Sequence, residues 1–339
     1  MTAPVLSPRP IRLALPSKGR LAQATLDFLA RSGLRVEKLN PRQYLARIPA
    51  LPEVEVLFQR AGDIVVGVRQ GSVDFGITGL DVVEEKRGTE GQVLVLHDAL
   101  GFGHCRLTLA VPEAWDAVHT MTDLARETAA LERPLRVATK YPRLSAAFLE
   151  RHGIPYHLIP AEGTLEIAPT IGYADAIVDL VTTGLTLRDN RLRPVEDGVI
   201  LASQAVLIAN RAALQHRPGA LEVARRLLEY IEAHLRAQEH FLVIANVRGQ
   251  SAAAVAERMA MQPHIRGLQG PTISPVFTHD GAPWFSVSIV VARRDLNAAI
   301  AELRAIGGSG VIVTPALYIF EEEPPRLQAL MAALRDEEG

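Results

Sequence analysis

The sequence predicts an α/β protein with two related lobes flanking a cleft, followed by a smaller unit of β-α-β-β-α-β order. Three observations carry this expectation. Short apolar, β-branched runs alternate with helix-period segments through the first two thirds of the chain, the pattern of parallel strands joined by helices. The chain also echoes itself: Val73-Asp-Phe-Gly-Ile-Thr-Gly-Leu-Asp81 parallels Val178-Asp-Leu-Val-Thr-Thr-Gly-Leu-Thr186, and residues 12–21 parallel 136–144. Beyond residue 239 the rhythm changes and the echo stops. A length of 339 residues fits two or three domains, each able to bury its own core.

Taken in order, residues 11–15 read as a strand, 16–20 as a turn and 21–31 as a helix stopped at Gly33. Strands follow at 54–58 and 73–77, with helices at 63–70 and 80–86; the last runs acidic to basic, which suits its dipole. The second lobe repeats the scheme. Residues 217–239, rich in Arg, Glu and Leu, form an amphipathic linker helix. Strands at 240–247, 272–278, 284–292 and 311–314 and helices at 251–261, with Ser251 as N-cap, and 295–306 then give the ferredoxin-like plan. The boundaries expected are 1–101 with 190–239 for the first lobe and linker helix, 102–189 for the second lobe, 240–320 for the third unit, and 321–339 for a tail without assigned function.

Composition removes several function classes. Thirty-six Lys and Arg against 38 Asp and Glu give a net charge of −2, so no global basic field exists to hold nucleic acid. The one cysteine, Cys105, can form neither an intrachain disulfide nor a cysteine-based zinc cluster, and reads as a small buried hydrophobe in a reducing compartment. No apolar run is long enough for a transmembrane helix or a secretory leader, so a cytoplasmic protein is expected.

The sharpest chemical signal lies in residues 162–186. Asp175 and Asp179 share one face of a strand, and two carboxylates among apolar residues are costly to bury without partners. Thr182, Thr183, Gly184, Leu185 and Thr186 follow at once, a turn with hydroxyls and backbone N–H groups suited to a phosphate. Carboxylates beside such a cradle suggest a phosphorylated sugar, its hydroxyls held by Asp, with magnesium on any pyrophosphate. Lys18 and Arg20 form a basic turn able to hold phosphates. Arg60, Asp81, Arg106 and Lys140 fall where strands end, and Glu162 opens the 162–169 segment. In parallel α/β sheets those strand ends line the ligand cleft. No metal-ligand spacing of His or Cys and no covalent-catalysis motif is present, so protein ligands for a metal stay unassigned.

On these motifs, with Gly76-Ile-Thr-Gly-Leu-Asp81 and Gly103-His-Cys-Arg-Leu107, the chain resembles the long-form ATP phosphoribosyltransferases over residues 11–320. The resemblance implies two lobes like those of type II periplasmic binding proteins and a C-terminal ferredoxin-like regulatory domain. It implies transfer of phosphoribosyl from phosphoribosyl pyrophosphate to N1 of ATP, with Mg2+, as the first step of histidine biosynthesis. Lys18 and Arg20 would then act on phosphates as catalytic residues; Asp175, Asp179, Thr182 to Thr186, Asp81, Arg60, Glu162 and Arg106 would bind substrates. Histidine as inhibitor would meet Thr272 and the glycine turn at Gly307 and Gly308. The family also implies a homo-oligomer, dimer to hexamer. Two other classes compete: prephenate dehydratases, whose Thr-Arg-Phe stretch is absent here, and non-catalytic solute-binding modules, which have little use for clustered carboxylates beside a phosphate turn.

Overall fold

The computed structural model describes residues 9–38, 40, 44–161, 163, 165–279 and 281–335. In the first lobe the chain forms β1 (Ile11–Pro16), α1 (Ala22–Arg31), β2 (Leu45–Ile48), β3 (Leu51–Gln59), α2 (Ala61–Arg69), β4 (Phe75–Gly79), α3 (Leu80–Lys86) and β5 (Val93–His97). It then crosses to β6 (Cys105–Pro112), α4 (Met121–Ala129), β7 (Leu135–Thr139), α5 (Pro142–Arg151), β8 (Tyr156–Pro160), β9 (Ala176–Val181), α6 (Leu185–Asp189) and β10 (Leu192–Ser203). It returns to the first lobe in β11 (Ala205–Asn210), continues as α7 (Arg211–His216), and leaves along α8 (Ala220–Gln238).

Two sheets result, of order β2-β3-β1-β4-β11-β5 and β10-β6-β9-β7-β8. Parallel strands β3, β1 and β4 in one match β8, β7 and β9 in the other, and each set is closed by an antiparallel strand that arrives after a crossing. Two lobes joined by two crossings are the plan of type II periplasmic binding proteins. The crossings touch: Leu100 N–H donates to Ala205 O at 3.2 Å and Ala205 N–H donates to Phe102 O at 3.0 Å. The central strands β4 and β11 of the first sheet are buried throughout, which is why they read as nearly unbroken apolar runs. Ile64, Val65 and Val68 of α2 cover the first sheet, and Phe148 and Leu149 of α5 cover the second.

The expected boundary at residue 190 needs correction. β10 pairs antiparallel with β6, and Thr108 Oγ1 donates to Gly198 O at 3.1 Å, so residues 192–203 belong to the second lobe. A strand's membership is set by where its ladder partner lies, and that partner is more than 80 residues upstream.

The chain clusters into two units, Leu227–Pro325 being the second. Within it, β12 (His240–Arg248), α9 (Ala252–Ala260), β13 (Thr272–Val276), β14 (Trp284–Ala292), α10 (Leu296–Ala305) and β15 (Gly308–Pro315) form the order β13-β14-β12-β15, the ferredoxin-like arrangement. Ser251 caps α9, accepting from Ala254 N–H at 3.1 Å. The later turns of α8 also belong here: the Tyr230 and Phe320 rings lie 5.9 Å apart, and Ala233 O accepts from Ile319 N–H.

The segment expected only as a tail carries a helix. α11 (Pro325–Arg335) starts at a proline, buries Leu327, Leu330 and Leu334 on one face, and clusters with the first unit. Arg326 donates to Asp98 at 2.7 Å, and Arg211 donates to Ala333 O at 3.1 Å.

Candidate active site

The carboxyl ends of β1, β4, β7 and β9 open between the lobes, and every turn there carries polar residues. Asp81 lies in the first turn of α3 and is 1% exposed. Such a burial requires partners, and it has three: Tyr141 Oη donates to it at 2.7 Å, Ser203 Oγ at 2.6 Å, and Arg20 Nη2 at 3.2 Å. Arg20 also donates to the carbonyl of Gly103 on the first crossing. Both lobes and both crossings therefore meet at one carboxylate. Burial, then the Asp81 charge, pushes the Tyr141 hydroxyl up, so it stays protonated and acts as a donor. Cys105, buried beside this hub, has its thiol raised by burial, as befits a packing residue rather than a nucleophile.

Opposite the hub, β9 delivers Asp179 and then residues 182–186. Gly184 adopts φ +77°, the left-handed conformation that glycine reaches without strain, and starts α6. Thr182, Thr183, Leu185 and Thr186 are exposed, with Leu185 57% exposed. Asp179 is half-buried, and among the described residues no other side chain hydrogen-bonds to it; its carboxylate accepts only from Leu180 N–H at 2.8 Å. Burial pushes this carboxyl up against the pull of Leu180 N–H and the Lys140 charge. A cavity of about 420 Å³ lies between Leu80, Arg106, Thr182 and Ser203, and another of about 380 Å³ between Gly62, Glu85, Lys140 and Tyr141.

Lys18, Arg60 and Arg106 are exposed at this cleft edge, Arg60 as the N-cap residue of α2, and Glu162 lies outside the described residues. Asp175 is elsewhere. It precedes β9, at the end of the strand away from the cleft, roughly 20 Å from Val181 at about 3.3 Å per residue. Its carboxylate accepts from Arg136 N–H at 2.9 Å, Arg136 Nη2 at 2.8 Å and Arg133 Nη2 at 2.9 Å. Burial alone would raise Asp175, but these guanidinium bonds outweigh it and hold the carboxyl well below the usual range. Asp175 is thus an ion-paired anchor of the sheet and not a ribose ligand. A shared strand face was legible in the sequence; which end of the strand met the cleft was not.

In the second unit, Thr272 lies on β13 and Gly308 on β15, the two opposite edges of the sheet. Three strand spacings of about 4.8 Å across the sheet and a three-residue offset along it put them roughly 17 Å apart, so one chain does not gather Thr272, Gly307 and Gly308 into a single pocket. A Cβ on Gly308 would lie 2.4 Å from Leu303 O, which by itself accounts for that glycine.

Tyr141 and Ser203 were not singled out from the sequence. Tyr141 follows Lys140 in the segment that echoes the Lys18 turn, a signal that could have found it; Ser203 carries no local signal, its partner being 122 residues away.

Fold and site define a two-lobed enzyme of the type II binding-protein architecture, with an exposed threonine-glycine turn at a cleft that holds a buried carboxylate hub. The profile of the family described as ATP phosphoribosyltransferase matches residues 60–233, and that described as HisG, C-terminal domain, matches 237–316. The chain is 47% identical to ATP phosphoribosyltransferase 2, chloroplastic, of Arabidopsis thaliana over 96% of its length and 80% of that protein. It is 37% identical to the ATP phosphoribosyltransferase of Bradyrhizobium diazoefficiens over 96% of its length and 99% of that protein. Among solved structures it resembles the ATP phosphoribosyl transferase (HisG:HisZ) complex of Thermotoga maritima, with TM-score 0.51 and 26% identity over 66% of this chain and 98% of that one. The chain belongs to the ATP phosphoribosyltransferase family, pentosyl-transferring enzymes of histidine biosynthesis. No helix among the described residues is long and apolar enough to cross a membrane.

Proposed function

We propose that the cleft binds phosphoribosyl pyrophosphate and ATP and joins C1 of the ribose to N1 of the adenine, releasing pyrophosphate. The observation that supports this most is Asp179 without another side-chain partner, next to an open, left-handed phosphate turn. The 5′-phosphate would rest on the N–H groups and hydroxyls of residues 182–186, and Asp179 would accept from ribose hydroxyls. Lys18, Arg20, Arg60 and Arg106 would meet phosphates. Departure of pyrophosphate leaves positive charge on the ribose, so orientation and charge placement supply most of the rate and no strong base is needed.

The residues present fit Mg2+ only as a companion of the pyrophosphate, because no three His, Cys, Asp or Glu side chains converge among the described residues. Bound there, the cation would neutralise leaving-group charge. Histidine inhibition is also part of this proposal. A ligand touching both Thr272 and the Gly307 turn requires a second copy of the chain to bring one open sheet edge near the other, which accords with a homo-oligomer.

Mixing the protein with ATP, phosphoribosyl pyrophosphate and Mg2+, and following the absorbance of N1-ribosylated adenine with and without histidine, tests both halves. Product suppressed by histidine supports them together; absence of product from folded protein sinks the catalytic half.

A further inference from the structure

Helix α5 begins without a cap of its own. Its N-cap residue is Tyr141, where Ser, Thr, Asp or Asn would ordinarily satisfy the first backbone N–H groups, and Tyr141 makes no capping bond; its hydroxyl, at the far end of the ring, binds Asp81. Pro142 at the first position removes one donor, leaving Arg143 and Leu144 as the next exposed N–H groups. Both are satisfied from the other lobe. Glu85 Oε1 accepts from Arg143 N–H at 2.9 Å and Oε2 accepts from Leu144 N–H at 3.0 Å, while Arg143 Nε donates to the Glu85 carbonyl at 3.2 Å.

Glu85 and Asp81 are four residues apart on α3 and so share one helix face. Asp81 binds Tyr141, and Glu85, one turn further, binds the first turn of α5. A carboxylate on two N-terminal N–H groups makes charge-assisted bonds and also complements the helix dipole. The cap can form only at one separation of the lobes, because α3 belongs to the first and α5 to the second. Opening the cleft uncaps the helix.

We propose that Glu85 is a positioning residue of the transfer reaction: it caps α5 across the cleft and thereby fixes the spacing at which both substrates are held. The role rests on the cleft being the transfer site. Both Glu85 carboxylate oxygens are committed to the α5 amides, so its loss should weaken binding of both substrates rather than the bond-making step.

The test compares wild type, Glu85→Ala and Glu85→Gln in the full-length protein. Steady-state kinetics, small-angle scattering of the ligand-free protein and amide exchange at Arg143 and Leu144 are read together. In Glu85→Ala, KM for both substrates should rise about tenfold with kcat nearly unchanged, tenfold being about 1.4 kcal/mol. The radius of gyration should increase and the two amides should exchange faster. Glu85→Gln, which keeps one acceptor oxygen, should fall between. A lower melting temperature with unchanged KM and unchanged scattering would reduce Glu85 to an ordinary helix cap and overturn the proposal. A loss confined to kcat, with a shifted pH profile, would also overturn it by making Glu85 part of the chemistry. Inactive wild type would sink the transferase reading, and with it the positioning role, while scattering and exchange would still report whether the lobes are clasped.

Discussion

Both lobes carry a Thr-Gly-Leu turn at the carboxyl end of a central strand, and the two turns are used in opposite ways. In the first, Gly79 is extended, at φ −80° and ψ 141°, and the following Asp81 is buried against three protein donors. In the second, Gly184 is left-handed, and Thr182, Thr183 and Thr186 are exposed. Strand register explains the difference. Leu13 pairs with Phe75 and Val137 with Ala176, so Asp74 and Asp175 occupy equivalent places, each accepting from the backbone N–H of an arginine, Arg12 or Arg136. Asp179 then falls where the first lobe has Thr78. The second lobe has four more residues between its anchoring aspartate and its glycine. Those extra residues place Asp179 ahead of the second turn, where its carboxylate accepts from Leu180 N–H and feels the Lys140 charge but makes no guanidinium bond among the described residues. The same Thr-Gly-Leu motif thus stands against a buried latch in one lobe and on an exposed turn in the other.

Breaking the cradle should have the largest effect. Asp179→Asn is expected to cut kcat/KM by about a hundredfold, the usual scale for losing one positioned charge contact. The same substitution should raise the melting temperature at neutral pH. Burial raises the Asp179 carboxyl, so its charged form costs the folded state stability above that raised value, and the cost vanishes when the charge is removed. Full activity in this variant would sink the ribose role.

The equivalent change at the other carboxylate should give the opposite pair of results. Asp175→Asn should lose about 2 kcal/mol of stability, a figure discounted for the partly exposed arginines, while kinetic constants stay near wild type. Because its carboxyl is depressed, that stability is present above the unfolded value of about 3.9 and disappears as pH falls below it, so the wild-type and variant unfolding curves should converge in acid.

The glycines sharpen the contrast further. In Gly79→Ala the new Cβ would sit 2.3 Å from Asp81 Oδ1, so Asp81 must move, and activity should fall by about tenfold with the backbone unstrained. Gly184→Ala meets nothing closer than 3.9 Å, yet at φ +77° it should cost about 1 kcal/mol from backbone strain alone, seen in denaturant unfolding. Equal stability losses in the two variants would show that the turns are less different than their geometry.

Much of this was legible beforehand because it rests on local regularities. Trp284–Ala292 was expected to within a residue, since its aromatic and β-branched residues favour a strand. Residues 80–86 were expected as a helix from their charge order. Strands β2 and β5, and the membership of β10, were not, because short or bulged strands are defined by partners far along the chain. Among the expected site residues, Asp175 was misplaced by reading a shared strand face without a strand direction, whereas Asp179 and residues 182–186 do lie together at the opposite end of that strand.

The sequence by itself determined the two-lobed α/β plan, the ferredoxin-like unit, the threonine-glycine turn after β9 and the family, because periodicity, turn residues and motif spacing are properties of neighbouring residues. Only the tertiary structure decided that Asp175 is an anchor and Asp81 a hub. It also decided that Tyr141, Ser203 and Glu85 join the lobes, and that α11 packs back on the first unit. Each of these depends on a contact between residues about 40 to more than 200 positions apart, and burial and charge pairing select such contacts only after the chain has folded.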